Sequence, residues 1–98
     1  MSSLLKESLD LDGLSRKDEM GLWLKTLREN AGLSQRDMAR ALSLDYYTFI
    51  SQLENGRGKI PTARYRDWAR VLKVNEREFV QKLLKFVDPI TYDILFND

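Results

Sequence analysis

Cysteine and histidine are both absent from the 98-residue sequence. Without cysteine the chain can form no disulfide, no thiolate metal site and no thiol nucleophile. Without histidine it lacks the most frequent general base and the most frequent metal ligand. The sequence therefore predicts a protein that is not an enzyme and that needs neither a metal nor a cofactor.

Long apolar runs are missing as well. No segment approaches the ~18–20 consecutive apolar residues that a membrane-spanning helix needs, so we expect no membrane partner and a cytoplasmic location. The hydrophobic content of 43% and the charged content of 32% are those of a folded domain. Glycine and proline are scarce, with five and two residues. Apolar residues recur every three or four positions, which predicts an all-α fold.

Helix-start patterns divide the chain into parts. We predict a flexible N-terminal arm over residues 1–14, a helical domain over 15–74 and a C-terminal helical extension over 75–98. Ser15 and Ser34 each precede an aspartate by three residues, as in capping boxes that open the first two helices. The later helices are expected to start at Asp45 (and to run to Asn55), at Thr62, at Asn75 and near Ile90.

Charge is unevenly distributed along the sequence. Residues 20–74 carry ten basic and five acidic side chains, a net charge of +5, whereas residues 1–19 and 75–98 each carry three basic and five acidic, a net charge of −2. A basic middle between acidic ends indicates an anionic partner for the middle segment. A solvated helix face is an equally good interpretation of charge alone.

The third predicted helix has two different faces. One stripe is apolar and is expected to face the core; it comprises Tyr46, Phe49, Ile50 and Leu53. The opposite face is polar and uncharged. On the helical wheel, Thr48, Ser51 and Asn55 lie at its centre, and Tyr47 and Gln52 lie at its edges. Amide side chains can pair with adenine edges, hydroxyls can donate or accept, and an aromatic ring can touch a thymine methyl. A small polar surface without a ligand is the alternative.

The second and third helices are short and joined by few residues, as in a helix-turn-helix. Residues 21–74 resemble the helix-turn-helix of phage repressors and Cro proteins, often called the XRE family. The similarity depends on two groups of residues, Gly32, Leu33, Ser34 and Gln35, and then Ile50, Ser51, Glu54 and Gly56. It implies a lambda-repressor-like domain of five to six helices.

The resemblance also implies roles for single residues. Arg28 and Glu54 match a largely buried ion pair between the first and third helices. The base-reading positions, taken together with the polar face, are Tyr47, Thr48, Ser51 and Gln52. The phosphate contacts implied by family position are Gln35, Asn55, Arg57 and Lys59, to which charge and placement add Arg36 and Arg64.

The turn departs from the family pattern. Five residues separate Leu44 from Ile50 where relatives have four, and Ser43 stands in place of the usual turn glycine. The direction of Tyr46 and Tyr47 is therefore open, although the helical wheel assigns Tyr46 to the core and Tyr47 to the outside.

The C-terminal extension contains more apolar residues than so small a core needs. We interpret them as a dimer interface that comprises Phe79, Leu83, Phe86, Val87, Ile90, Ile94 and Leu95. The alternative is a sixth helix that folds back to close the core. A two-fold dimer would place two reading helices over a pseudo-palindromic operator.

The sequence thus predicts a sequence-specific, double-stranded DNA-binding transcriptional regulator that acts as a homodimer and is nucleoid-associated when bound. An antitoxin is the alternative, in which residues 1–14 and 75–98 would bind a toxin as protein partner.

Overall fold

The computed structural model describes residues 2–97, which form six α-helices and one 3-10 segment and contain no strand. The α-helices are α1 (Ser2–Asn30), α2 (Gln35–Ala41), α3 (Thr48–Glu54), α4 (Tyr65–Val71), α5 (Glu76–Val87) and α6 (Pro89–Phe96). The 3-10 segment, Thr62–Arg64, precedes α4. The all-α prediction is therefore confirmed for the described residues.

The first helix is longer than predicted. It begins at Ser2 and not after Ser15, so the predicted capping box at Ser15 is wrong. The sequence of residues 2–14 contains no proline and one glycine, so little in it opposes continuation of the helix. Met1, Asp98 and the side chains of residues 1–15 lie outside the described part, and the predicted flexibility of the arm 1–14 falls there.

Side-chain caps start α2, α5 and α6. The Ser34 hydroxyl accepts the Asp37 backbone N–H at 3.0 Å and the Asp37 carboxylate accepts the Ser34 N–H at 3.2 Å, which confirms the capping box. Hydrogen bonding of the Asp37 carboxylate with the Ser34 side chain, and then with the Ser34 backbone N–H, holds the pKa of Asp37 below its usual range. Asn75 caps α5 as predicted.

The predicted cap at Thr62 is wrong. The backbone N–H of Arg64 donates to the Pro61 carbonyl three residues earlier, at 2.9 Å, so this stretch winds as a 3-10 turn. No side-chain cap hydrogen bond is made there, and α4 begins only at Tyr65.

The core lies where the first five α-helices meet. Its buried apolar residues are Met20, Leu24, Met38, Ala39, Leu42, Ile50, Leu53, Ile60, Trp68, Ala69, Leu72, Phe79 and Leu83. Trp23 stacks on Phe79 with ring centroids 5.3 Å apart, and Phe49 meets Trp68 edge-on at 6.1 Å. The first contact joins α5 to α1, and the second joins α4 to α3.

Gly21 sets the distance between α1 and α3. A Cβ atom at this position would overlap the backbone carbonyl of Glu54 at the end of α3. The absence of a side chain therefore allows the two helices to touch backbone to backbone. α3 is held at its C-terminal end by this contact.

Four helices end in the same way, with a left-handed residue just after the helix and two backbone hydrogen bonds back into its last turn. The left-handed residues are Gly32, Ser43, Gly56 and Lys73. At the end of α2, Ser43 has φ 57°, and the Leu44 N–H donates to the Ala39 carbonyl at 2.8 Å. Ser43 therefore takes the backbone conformation that a turn glycine would take, at the cost of a strained Cβ.

This turn changes the start of the third helix. α3 begins after Tyr47, so the predicted start and cap at Asp45 are wrong, whereas its end, with Asn55 as the C-cap, agrees with the prediction. Residues 44–47 form a connection, to which the helical wheel does not apply. The assignment of Tyr46 to the core is wrong for that reason, and its side chain is 75% exposed. Tyr47 points outward, as expected.

The strain at Ser43 can be measured. Ser43→Gly should raise the free energy of unfolding by about 0.5–1 kcal/mol, because relief of the left-handed strain outweighs the greater chain entropy of glycine. Chemical denaturation of both proteins measures this difference. Ser43→Ala keeps a Cβ and is the matched control; an equal gain in the alanine variant would contradict the explanation.

Candidate nucleic-acid interface

α2 and α3 form a compact pair around Ala39, whose small side chain is buried. α3 buries Ile50 and Leu53 and directs the opposite face outward. Three of the four predicted base-reading residues, Tyr47, Thr48 and Gln52, are exposed, and Ser51 is half-buried beside them. The structure thus brings this set together on one uncharged face.

A buried ion pair fixes the end of α3. Arg28 of α1 donates from Nε to Glu54 Oε2 at 2.6 Å and from a terminal nitrogen to Glu54 Oε1 at 3.1 Å. The two side chains are 9% and 5% exposed. The hydrogen bond to Glu54 raises the pKa of Arg28, against the opposing effect of burial. The predicted ion pair is therefore present, as a bidentate contact between α1 and α3.

The same carboxylate orients the start of α2. Gln35 donates from Nε2 to Glu54 Oε1 at 3.1 Å, and Arg28 also donates to the Leu33 carbonyl at 2.8 Å. Four segments, α1, the loop before α2, the start of α2 and the end of α3, thus share one hydrogen-bonded cluster. Gln35 keeps a second N–H on the same nitrogen, which is able to bind a phosphate oxygen.

A basic loop follows α3. Asn55, Arg57 and Lys59 are all exposed in it, and the buried side chain of Ile60 anchors its far end. Its backbone turns sharply because Gly56 has a φ of 80°. The loop therefore presents two cations and one amide beside the C-terminal end of α3, as expected for phosphate contacts.

The Arg64 side chain packs between α4 and the end of α2. Its guanidinium donates to Asp67 at 2.7 Å and to the Leu42 carbonyl, and it lies over the Trp68 ring. These contacts join α4 to the end of α2. Because the guanidinium is already engaged inside the domain, Arg64 does not fit the predicted role of a phosphate contact.

Arg36 makes a contact that sequence reasoning missed. Its guanidinium carbon lies 4.9 Å from the centre of the Tyr47 ring, a cation–π arrangement across the turn. The two residues are far apart in sequence, and only the path of the turn brings them together. Arg36 thus lies beside the face of α3 that is predicted to read bases.

The residues of the predicted dimer interface fall into three groups by exposure. Phe79 and Leu83 are buried in the domain's own core, so their assignment to an interface is wrong. Phe86 is half-buried against Trp23, with ring centroids 5.6 Å apart. The exposed members are Val87, Ile90, Ile94 and Leu95. The helical stripe of α5 was read correctly as apolar, but it packs inward because α1 covers it.

The described residues contain no group of three or more acidic residues placed to hold a metal ion. None of their helices is long and apolar enough to cross a membrane.

A family model for a helix-turn-helix domain matches residues 19–80. The chain belongs to this helix-turn-helix family. A search of curated proteins finds no significant match to the chain. The family match agrees with the compact α2–α3 pair and with the all-α, lambda-repressor-like fold. It indicates a DNA-binding regulator, in a family whose members are typically not enzymes.

The ion pair in this helix-turn-helix domain gives a stability prediction. Glu54→Leu should lower the free energy of unfolding by about 3–5 kcal/mol, because it leaves Arg28 buried without its partner. Chemical denaturation measures the loss. The double variant Arg28→Met/Glu54→Leu should be more stable than the single variant, since no unpaired charge remains. A double variant as unstable as the single one would contradict this account.

Proposed function

We propose that the protein is a sequence-specific, double-stranded DNA-binding transcriptional regulator that acts as a homodimer and reads the major groove with α3. The observation that carries the proposal is the outward face of α3, where Thr48 and Gln52 are exposed opposite the buried Ile50 and Leu53. No charged residue interrupts the sequence between Asp45 and Glu54. A face that only contacts solvent would be expected to carry lysine and glutamate.

The chemistry of this face suits base edges. A helix is about 10–12 Å wide with its side chains, and the major groove is about 12 Å wide. The Gln52 amide can donate and accept at once, which matches the N6 and N7 atoms of adenine. The Thr48 hydroxyl can do either, and the Tyr47 ring can contact a thymine methyl.

Cations around this face supply affinity for the backbone. Arg57 and Lys59 extend from the loop after α3, and Arg36 lies at the other end of the helix beside Tyr47. Gln35 and Asn55 add neutral donors. Binding to phosphates by these groups is independent of sequence and falls as salt rises.

The exposed face of α6 supports the homodimer. Ile90 is 73% exposed and Ile94, one helical turn later, is 76% exposed, and Leu95 and Val87 are exposed as well. Exposed apolar side chains grouped in this way mark an interaction site. A two-fold copy docked there would allow two α3 helices to lie one DNA turn, about 34 Å, apart. In the antitoxin alternative, a toxin would cover this patch.

Substitutions at base-reading and phosphate-binding positions should have different effects on DNA binding. Gln52→Ala should cost roughly 1–3 kcal/mol and relax specificity at one base pair, because the amide contacts one base edge. Lys59→Ala should weaken all sequences alike and lower the slope of log affinity against log salt by about one. Binding measured across a panel of duplexes and salt concentrations checks both. Gln81→Ala, in α5, is the matched control for Gln52, and an unchanged sequence profile in Gln52→Ala would contradict its reading role.

The homodimer has its own test. Ile94→Glu should convert dimers to monomers in analytical ultracentrifugation and reduce operator affinity, because a buried charge would oppose association. Leu22→Glu is the control, since Leu22 is an exposed apolar residue of α1 outside the α6 patch. Sedimentation of the Ile94 variant like the wild type would rule out this interface, and a wild-type monomer captured by a toxin would favour the antitoxin.

A further inference from the structure

A groove of about 380 Å³ lies between α2 and the turn into α3. Ala39 and Leu44 form its apolar part, and Tyr46 and Tyr47 form an aromatic side. Its charged lining residues are Arg36, Arg40 and Asp45. Only Arg36 and Tyr47 of this set were predicted to contact DNA.

The two arginines of the groove are one helical turn apart on α2. Residues four apart on a helix lie about 5–6 Å from each other at Cβ, so both guanidinium groups can serve one ligand. Arg36 is already held over the Tyr47 ring. A guanidinium stacked in this way keeps its N–H groups at the edge of its plane, where they are able to bind an anion. Among the described residues, neither arginine has an ion-pair partner within 4.0 Å.

Tyr46 gives the groove an apolar side that the domain itself does not use. The inserted turn residue and the left-handed Ser43 place this tyrosine outside the core, three-quarters exposed. It lies next to Tyr47, which borders the proposed base-reading face. An exposed aromatic ring at this position is suited to packing against a bound ligand.

We propose that this groove holds the sugar–phosphate backbone of the DNA strand that runs beside α3, with Arg36 and Arg40 on phosphates and Tyr46 against a deoxyribose. The proposal rests on the proposed function and extends the interface to Arg40 and Tyr46. Continuity with the α3 face favours DNA, since any duplex that α3 enters brings a polyanionic backbone close to α2. A protein with an acidic surface is the competing occupant.

Asp45 allows a test in which the affinity for DNA is expected to rise. Its carboxylate lines the groove together with the two arginines and lowers their combined charge from +2 to +1. A phosphate in the groove would be repelled by this carboxylate. Removal of the Asp45 charge should therefore tighten DNA binding, an effect that a misfolded variant cannot produce.

The experiment measures the dissociation constant of full-length protein and duplex DNA as a function of salt. Arg40→Gln should lower the salt slope by about 0.9 and weaken binding roughly five-fold at 0.15 M salt, because one phosphate contact is lost. Asp45→Asn should tighten binding about two- to five-fold for every sequence, the reverse of the same electrostatic effect. Tyr46→Ala should weaken binding without changing the slope, whereas Tyr46→Phe should keep it.

Matched variants on α5, which does not line the groove, control for net charge. Arg77→Gln and Glu78→Gln repeat the two charge changes there. If Arg40→Gln and Asp45→Asn behave like these controls while the wild type binds DNA, the groove does not hold the backbone, and an acidic protein partner becomes its occupant. A wild-type chain that binds no duplex at any salt would contradict the proposed function itself, before the groove is in question.

Discussion

The bidentate contact between Arg28 and Glu54 is the interaction on which the geometry of the interface depends. It joins α1 to the end of α3, and Gln35 ties the start of α2 to the same carboxylate. Both charged groups are nearly excluded from water, and desolvation offsets much of their attraction. The pair is best explained by the position it gives to α3. Together with the backbone contact allowed by Gly21, it fixes the C-terminal end of the helix whose polar face we propose reads bases.

The surface of the domain separates three kinds of chemistry. α3 presents uncharged hydrogen-bonding groups, and basic side chains flank it on α2 and on the loop that contains Arg57 and Lys59. The apolar residues Ile90 and Ile94 lie on α6. α6 packs against α5 in the fold. A DNA regulator needs this division, because base reading, backbone attraction and self-association use different forces.

The sequence predicted the fold class, the α2 capping box and the polar face of α3. These features depend on local patterns, such as a serine three residues before an aspartate, or on the helical periodicity of apolar residues. The errors arose where tertiary structure decides. Tyr46 was placed in the core because a helix was assumed from Asp45, whereas the left-handed Ser43 delays it to Thr48. Phe79 and Leu83 were read as an interface because an apolar stripe does not reveal whether α1 or a second chain covers it. The phosphate contact predicted for Arg64 does not take account of its contacts with Asp67 and Leu42, which the sequence does not reveal.

The central claim is that α3 is the part of this domain that enters DNA. Amide chemical shifts of the ¹⁵N-labelled protein, recorded during titration with a 20-base-pair duplex at low salt, test it most directly. The account predicts that the largest changes fall on Thr48, Ser51 and Gln52 and on the loop from Gly56 to Lys59, with little change in α5. Changes concentrated on α5 and α6, or none at all, would contradict it.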